Sequence, residues 1–227
     1  MSKSPLCDAI LSGNTEDCLT LIADGATDIE ARSEQGLTPL HLAILMGQMD
    51  IFKTLLKGGA DINAVVDCDS RDAFYFACDS GRTEMALVLM EQVDIHKARH
   101  AERRLIHIAC ACGELSVLSR LLEKGADPNV KDEDQFSPLH YACIHNKIEV
   151  ARILLKMGAD IHSRDHERRT PLHIACLNGH TELALALARN GAQIYEIDME
   201  GKTPFDVATQ RGYLELAQAL KPFNNLS

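Results

Sequence analysis

Three pairs of side chains have the types and spacing of reactive sites. His173 stands three positions before Cys176, His140 before Cys143 and His107 before Cys110. Residues three apart on a helix share a face, so each imidazole can reach its thiol. Such a pair could hold a metal ion or make an activated thiol. A structural zinc site takes four ligands and a catalytic one usually three. The missing ligands would have to come from neighbouring elements, and packed helices stand about 8–10 Å apart. Zinc–ligand bonds are about 2.0–2.3 Å long, so pairs on successive helices do not easily converge on one ion. A repeated structural device therefore stands against a metal-binding or thiol enzyme.

The frame around these pairs recurs along the whole chain. "TPLHIA" at 170–175 is matched by "SPLHYA" at 137–142, "RLIHIA" at 104–109, "DAFYFA" at 72–77 and "TPLHLA" at 38–43. "SPLCDA" at 4–9 and "TPFDVA" at 203–208 complete a set of seven. The first residues are spaced by 34, 34, 32, 33, 33 and 33 positions. Five of the seven units place a Thr or Ser before Pro, which suits an N-cap and a proline at the first helical position. A short helix follows, such as "PLHLAILMG", ended by Gly47. A second helix carries apolar residues at helical spacing, as in "EVARILLKMG". "GADIN" or "GADPN" then makes a tight turn, and a short polar loop leads to the next unit. One such unit cannot bury its own apolar face, so neighbours must stack.

The stretches "GLTPLHLAILMGQMDIFKTLLKGGADIN" (36–63), "SPLHYACIHNKIEVARILLKMGADI" (137–161) and "TPLHIACLNGHTELALALARNGA" (170–192) resemble the ankyrin-repeat family. The resemblance covers essentially the whole chain. It implies an all-α solenoid of about seven helix–turn–helix units with β-hairpin fingers and capping repeats at both ends. The units would run over 1–32, 33–66, 67–98, 99–131, 132–164, 165–197 and 198–227, in a single domain. The family resemblance also implies that the histidine of "TPLH" is structural, bonding its own Thr and neighbouring loop backbone. Cys78, Cys110, Cys143 and Cys176 share one repeat position and suit a crowded helix contact. Cys7 and Asp8 in the first unit, and Asp206, Gln210, Arg211, Glu215 and Gln218 in the last, read as polar caps. Asn63, closing "LLKGGADIN", resembles the asparagine that ankyrin-type hydroxylation modifies.

Composition narrows the function. The net charge of -10 argues against nucleic acid and anionic membranes as partners. No apolar run is long enough to span a bilayer, and "MSKSPLCDAI" does not read as a secretory signal. Eight cysteines in such a chain read as thiols rather than disulfides, placing it in the cytoplasm or nucleus. No G-x-S-x-G, phosphate-cradling glycine loop or Cys-x-x-Cys is present. A non-catalytic, monomeric protein-binding module without cofactor or metal is expected. It would act as adaptor, inhibitor or assembly factor. The alternatives are the His–Cys enzyme and a self-associating structural protein.

The family's usual binding surface is the concave face of fingers and first helices. On the fingers, "RHAERR" (99–104) and "RDHERR" (164–169) flank the acidic "KDEDQF" (131–136). His100, Arg103, Glu133, Asp134, His166, Arg168 and Arg169 are candidate contacts for an acidic or mixed-charge partner segment, against a merely solvated edge. On the first helices, Leu45, Met46, Cys112, Ile144, His145, Leu177 and Asn178, with Phe136, form a candidate apolar strip, against partial burial between repeats. Asp79 takes the same place in the third unit. That unit lacks Thr-Pro and His, and the fourth lacks Thr-Pro, which reads as two weakened caps. Tyr75 is then either a binding anchor or part of a soft segment.

Overall fold

The computed structural model describes residues 4–25, 27–66, 71–97, 103–221 and 223. Among them are fourteen helices and no strand. The chain divides into two compact units, Met1–Asp94 and Ile95–Ser227.

The first unit holds α1 (Pro5–Ser12), α2 (Thr15–Ala23), α3 (Pro39–Met46), α4 (Met49–Lys57), α5 (Ala73–Asp79) and α6 (Thr83–Met90). The second holds α7 (Leu105–Cys112), α8 (Leu115–Glu123), α9 (Pro138–Ile144), α10 (Ile148–Lys156), α11 (Pro171–Leu177), α12 (Thr181–Arg189), α13 (Pro204–Gln210) and α14 (Leu214–Leu220). Odd-numbered helices pack in sequence within each unit, α1 on α3 and α3 on α5, then α7 on α9, α9 on α11 and α11 on α13. With a neighbour on each side, α3 buries every residue from Pro39 to Ile44. Even-numbered helices form a one-sided second layer. In α4 the buried residues are Ile51, Phe52 and Leu55, one apolar stripe.

The starts of the first helices follow the sequence. Ser4, Thr38, Thr170 and Thr203 accept from the backbone N–H three residues on, with proline at the head of each helix. Of the two weakened caps expected, the one in the third unit is replaced by another side chain, and the one in the fourth is not. Asp72 Oδ1 accepts from the Tyr75 N–H at 2.9 Å. The Arg104 side chain cannot accept, and the His107 N–H goes instead to the Arg104 carbonyl at 3.0 Å. The Arg104 N–H still donates to His107 Nδ1 at 3.0 Å, as the corresponding N–H does in the units that keep Ser or Thr. Gly47, at φ 70°, ends α3 in the left-handed region. A Cβ there would lie 2.8 Å from the Arg82 guanidinium.

The fingers are closed turns rather than strand pairs among the described residues. Asp132, Asp165 and Asp198 each donate a backbone N–H to the carbonyl four residues on, at 3.0–3.1 Å. Each side chain then accepts the N–H of that same residue, at 2.8–2.9 Å. Cys7 is no polar cap. It is buried, and its thiol donates to the Ala31 carbonyl at 3.5 Å. Gln210, Arg211, Glu215 and Gln218 are exposed, as a cap requires.

Candidate functional site

The His–Cys pairs are fully committed to the fold. His140 Nδ1 accepts from the Ser137 N–H at 3.1 Å and bonds the Ser137 hydroxyl at 2.8 Å. Its Nε2–H donates to the Arg169 carbonyl in the next finger at 3.1 Å. His173 repeats this with Thr170 and the Lys202 carbonyl. His107 bonds Arg104 and the Val130 carbonyl. Burial pushes the imidazoles of His41, His107 and His140 down to about 4, and lowers His173. Protonation would also place a hydrogen on Nδ1, where it faces a backbone donor. Cys110, Cys143 and Cys176 are fully buried, and burial pushes the Cys176 thiol up to about 12. A neutral imidazole with both nitrogens bonded and a thiol far from ionisation make neither metal ligands nor a nucleophile. None of the seven described cysteines forms a disulfide. Among the described residues, no group of three or more His, Cys, Asp or Glu side chains is placed to hold a metal ion.

The finger candidates separate into committed and available groups. Asp132 is buried, with Tyr141 Oη donating to it at 2.7 Å, and contributes no surface charge. Arg169 is held by Asp165 at 2.8 Å and Glu167 at 2.9 Å. Arg164 pairs with Glu196. His166 crosses to the preceding finger, its ring donating to the Glu133 carbonyl at 2.8 Å and its N–H to the Asp134 carbonyl at 3.2 Å. Met199 N–H continues the pattern to the Glu167 carbonyl at 2.9 Å. The side chains of Glu133, Asp134 and Arg168 remain exposed, and Arg103 is half-buried. His100 lies outside the described residues.

Each helix candidate lies at the C-terminal end of the first helix of its own repeat. Met46, Asp79, His145 and Asn178 are exposed, while Leu45, Cys112, Ile144 and Leu177 are half-buried. His145 is lowered by burial and by Lys147 and His180. Leu177 lines a groove of about 390 Å³ with Arg169, Lys202, Val207 and Arg211, between two fingers and α11 and α13. Phe136 packs edge-on against His140 and Tyr141, at 5.6 and 6.1 Å between centroids. Tyr75 is half-buried beside Phe76, and Arg71 sits 5.9 Å from its ring centroid. Asn63 is exposed in its turn.

One recurrent device is hidden in the sequence. Gln48, Arg82 and His180, each just before a second helix, reach back to carbonyls of the preceding first helix: Ile10, Leu45 and Ile144, at 3.0–3.2 Å. Three unlike residue types perform one job, so no motif marks them.

The family model described as ankyrin repeats (3 copies) matches residues 6–101, 74–165 and 158–225. Among curated relatives, the chain is 33% identical over 135 residues to ankyrin repeat and KH domain-containing protein mask-1 of Caenorhabditis elegans. That match covers 58% of this chain and 5% of the relative. It is 31% identical over 127 residues to the B-cell lymphoma 3 protein homolog of Mus musculus, covering 54% of this chain and 28% of that protein. It is 45% identical over 62 residues to protein phosphatase 1 regulatory subunit 27 of Homo sapiens, covering 27% and 40%. The chain thus spans well under half the length of each of these relatives. No described helix is long and apolar enough to cross a membrane.

Proposed function

The chain belongs to the ankyrin-repeat family, and from that premise we propose that it is a non-catalytic protein-binding module. Ankyrin repeats are protein–protein interaction modules and generally non-catalytic. Its partner lies against the ends of the first helices and the fingers, the concave surface in this family. The observation that carries this reading is the division of labour within each repeat. The recurring frame buries its histidines, cysteines and capping residues, whereas the positions just after it, from Met46 to Asn178, keep apolar and polar atoms open. Rigid presentation of those positions makes the chain an adaptor, inhibitor or assembly factor. It acts as a monomer in the cytoplasm or nucleus, without cofactor, nucleic acid or membrane.

The finer reading is that Arg103 and Arg168 meet an acidic or mixed-charge segment. Arg168 is the cation to test, because Arg169 is tied to the buried Asp165. Affinity capture with the intact chain and with Arg103→Glu/Arg168→Glu tests this, with helical circular dichroism as the control for folding. A partner held by the first and lost from the second supports finger recognition. A partner held equally by both moves the contact to the apolar positions around Leu45, Tyr75 and Ile144. No protein partner for either sinks the reading.

A further inference from the structure

The second-layer helices of the second unit carry a surface that the first helices and fingers do not share. Lys156 near the end of α10 and Arg189 near the end of α12 occupy one repeat position, 33 residues apart. Both are exposed, and among the described residues neither side chain makes an ion pair or hydrogen bond. Between them lies a groove of about 430 Å³. Its floor is apolar: Ala151 and Leu155 from α10, Leu183, Ala186 and Leu187 from α12. α10 and α12 form the two sides of this groove. Ala186 brings too short a side chain to fill it.

The charge around this floor is of one sign. Arg152 is the third cation of the rim, and no carboxylate lines the groove. Glu149 lies 3.3 Å from Arg152, but both are well exposed, and such a pair holds little. On α8 the equivalent of Lys156 and Arg189 is Glu123, which pairs with Arg120 at 3.3 Å. The rim therefore does not extend to α8. Two uncompensated cations beside an apolar floor are unusual on a chain of net charge -10. At physiological salt the screening length is about 8 Å, so a ligand in the groove senses the rim more than the distant acids.

The geometry points to an acidic segment of a partner protein as the occupant of this groove. One bulky apolar side chain of that segment fills the space over Ala186, and carboxylates on either side meet Lys156 and Arg189. Arg189 can fork a carboxylate through two N–H groups, and Lys156 offers a point charge. This site is separate from the surface of the proposed function, and either can exist without the other.

Panning a phage-displayed library of random dodecapeptides against the full chain tests it, with synthetic copies of the enriched peptides measured by fluorescence polarisation. Enriched peptides are expected to carry Asp or Glu on both sides of a Leu, Phe or Trp. Their affinity is expected to fall at least about tenfold in Lys156→Glu/Arg189→Glu. A similar fall is expected in Ala186→Leu, which fills the groove with a good helix former. Arg103→Glu/Arg168→Glu should leave it unchanged. No enrichment, enrichment without acids, or binding indifferent to the groove variants overturns the proposal. Peptides lost from the finger variant alone overturn it too, and assign acidic recognition to the fingers instead.

Discussion

At the scale of the residue, the buried histidines decide how the protein answers to pH. His41, His107 and His140 have imidazoles held at about 4 when folded, against an ordinary value near 6.5. Below about pH 6.5 the unfolded chain takes up protons that the folded chain refuses. Their contribution to stability therefore falls as the pH drops from about 6.5 to 4, by about 1.4 kcal/mol per pH unit for each histidine at full slope, and is constant above that window. Denaturant titrations at pH 7.5 and 5 check the sign, and higher stability at pH 5 would contradict it. His173→Ala leaves the Lys202 carbonyl and the Thr170 N–H without their partner. We expect a loss of about 2–4 kcal/mol, read as a lower denaturation midpoint. The role of these histidines was legible through the family resemblance that "TPLH" carries. The role of Asp132 was not, since a charge run says nothing of which acid turns inward. The backbone N–H of Phe136 and the hydroxyl of Tyr141 draw Asp132 in.

At the scale of the element, the finger turn is the unit to perturb. Its fourth position lies in the left-handed region, filled by Gly36 and Gly201 in two fingers but by Gln135 and Arg168 in two others, at φ 63° and 59°. A side chain there costs about 1–2 kcal/mol relative to glycine, partly offset by the lower chain entropy of a non-glycine residue. Gln135→Gly and Arg168→Gly are each expected to raise stability by about 0.5–1 kcal/mol, seen as a higher Tm. Asp165 acts oppositely. It is buried, accepts from the backbone of Glu167 and Arg169, and holds the Arg169 guanidinium. Asp165→Ala should cost about 3 kcal/mol and loosen the finger, measured as faster amide exchange at Glu167 to Arg169. The third repeat reads in sequence as a segment with a lost cap, because the usual Thr is absent. A carboxylate makes the same bond, so Asp72→Ala is expected to destabilise α5 by about 1 kcal/mol.

At the scale of the whole molecule, charge and repetition govern behaviour. A net charge of -10 keeps basic partners attracted and acidic ones dependent on local cations. Partner capture through Arg103 and Arg168 should therefore weaken steeply as salt shortens the Debye length below about 8 Å, whereas capture through Leu45, Tyr75 and Ile144 should persist. A pull-down series in rising salt separates the two.

The sequence by itself determined the repeat, its phase, the helix starts and the packing use of cysteine, and the resemblance it carries implied the structural use of histidine. The first four are local rules, of capping, periodicity or size, stated again in unit after unit. Only the tertiary structure decided which charges are surface. Arg169 and Arg168 are neighbours of one type, yet one is locked to a buried acid and the other stands in solvent. Lys156 and Arg189 likewise look like ordinary helix-end cations until stacking sets them on either side of an open groove. The reason is physical: capping and periodicity are read along the chain, whereas the choice of Arg169 over Arg168 follows from how one finger folds onto its buried acid, and the groove from the distance between neighbouring helices α10 and α12.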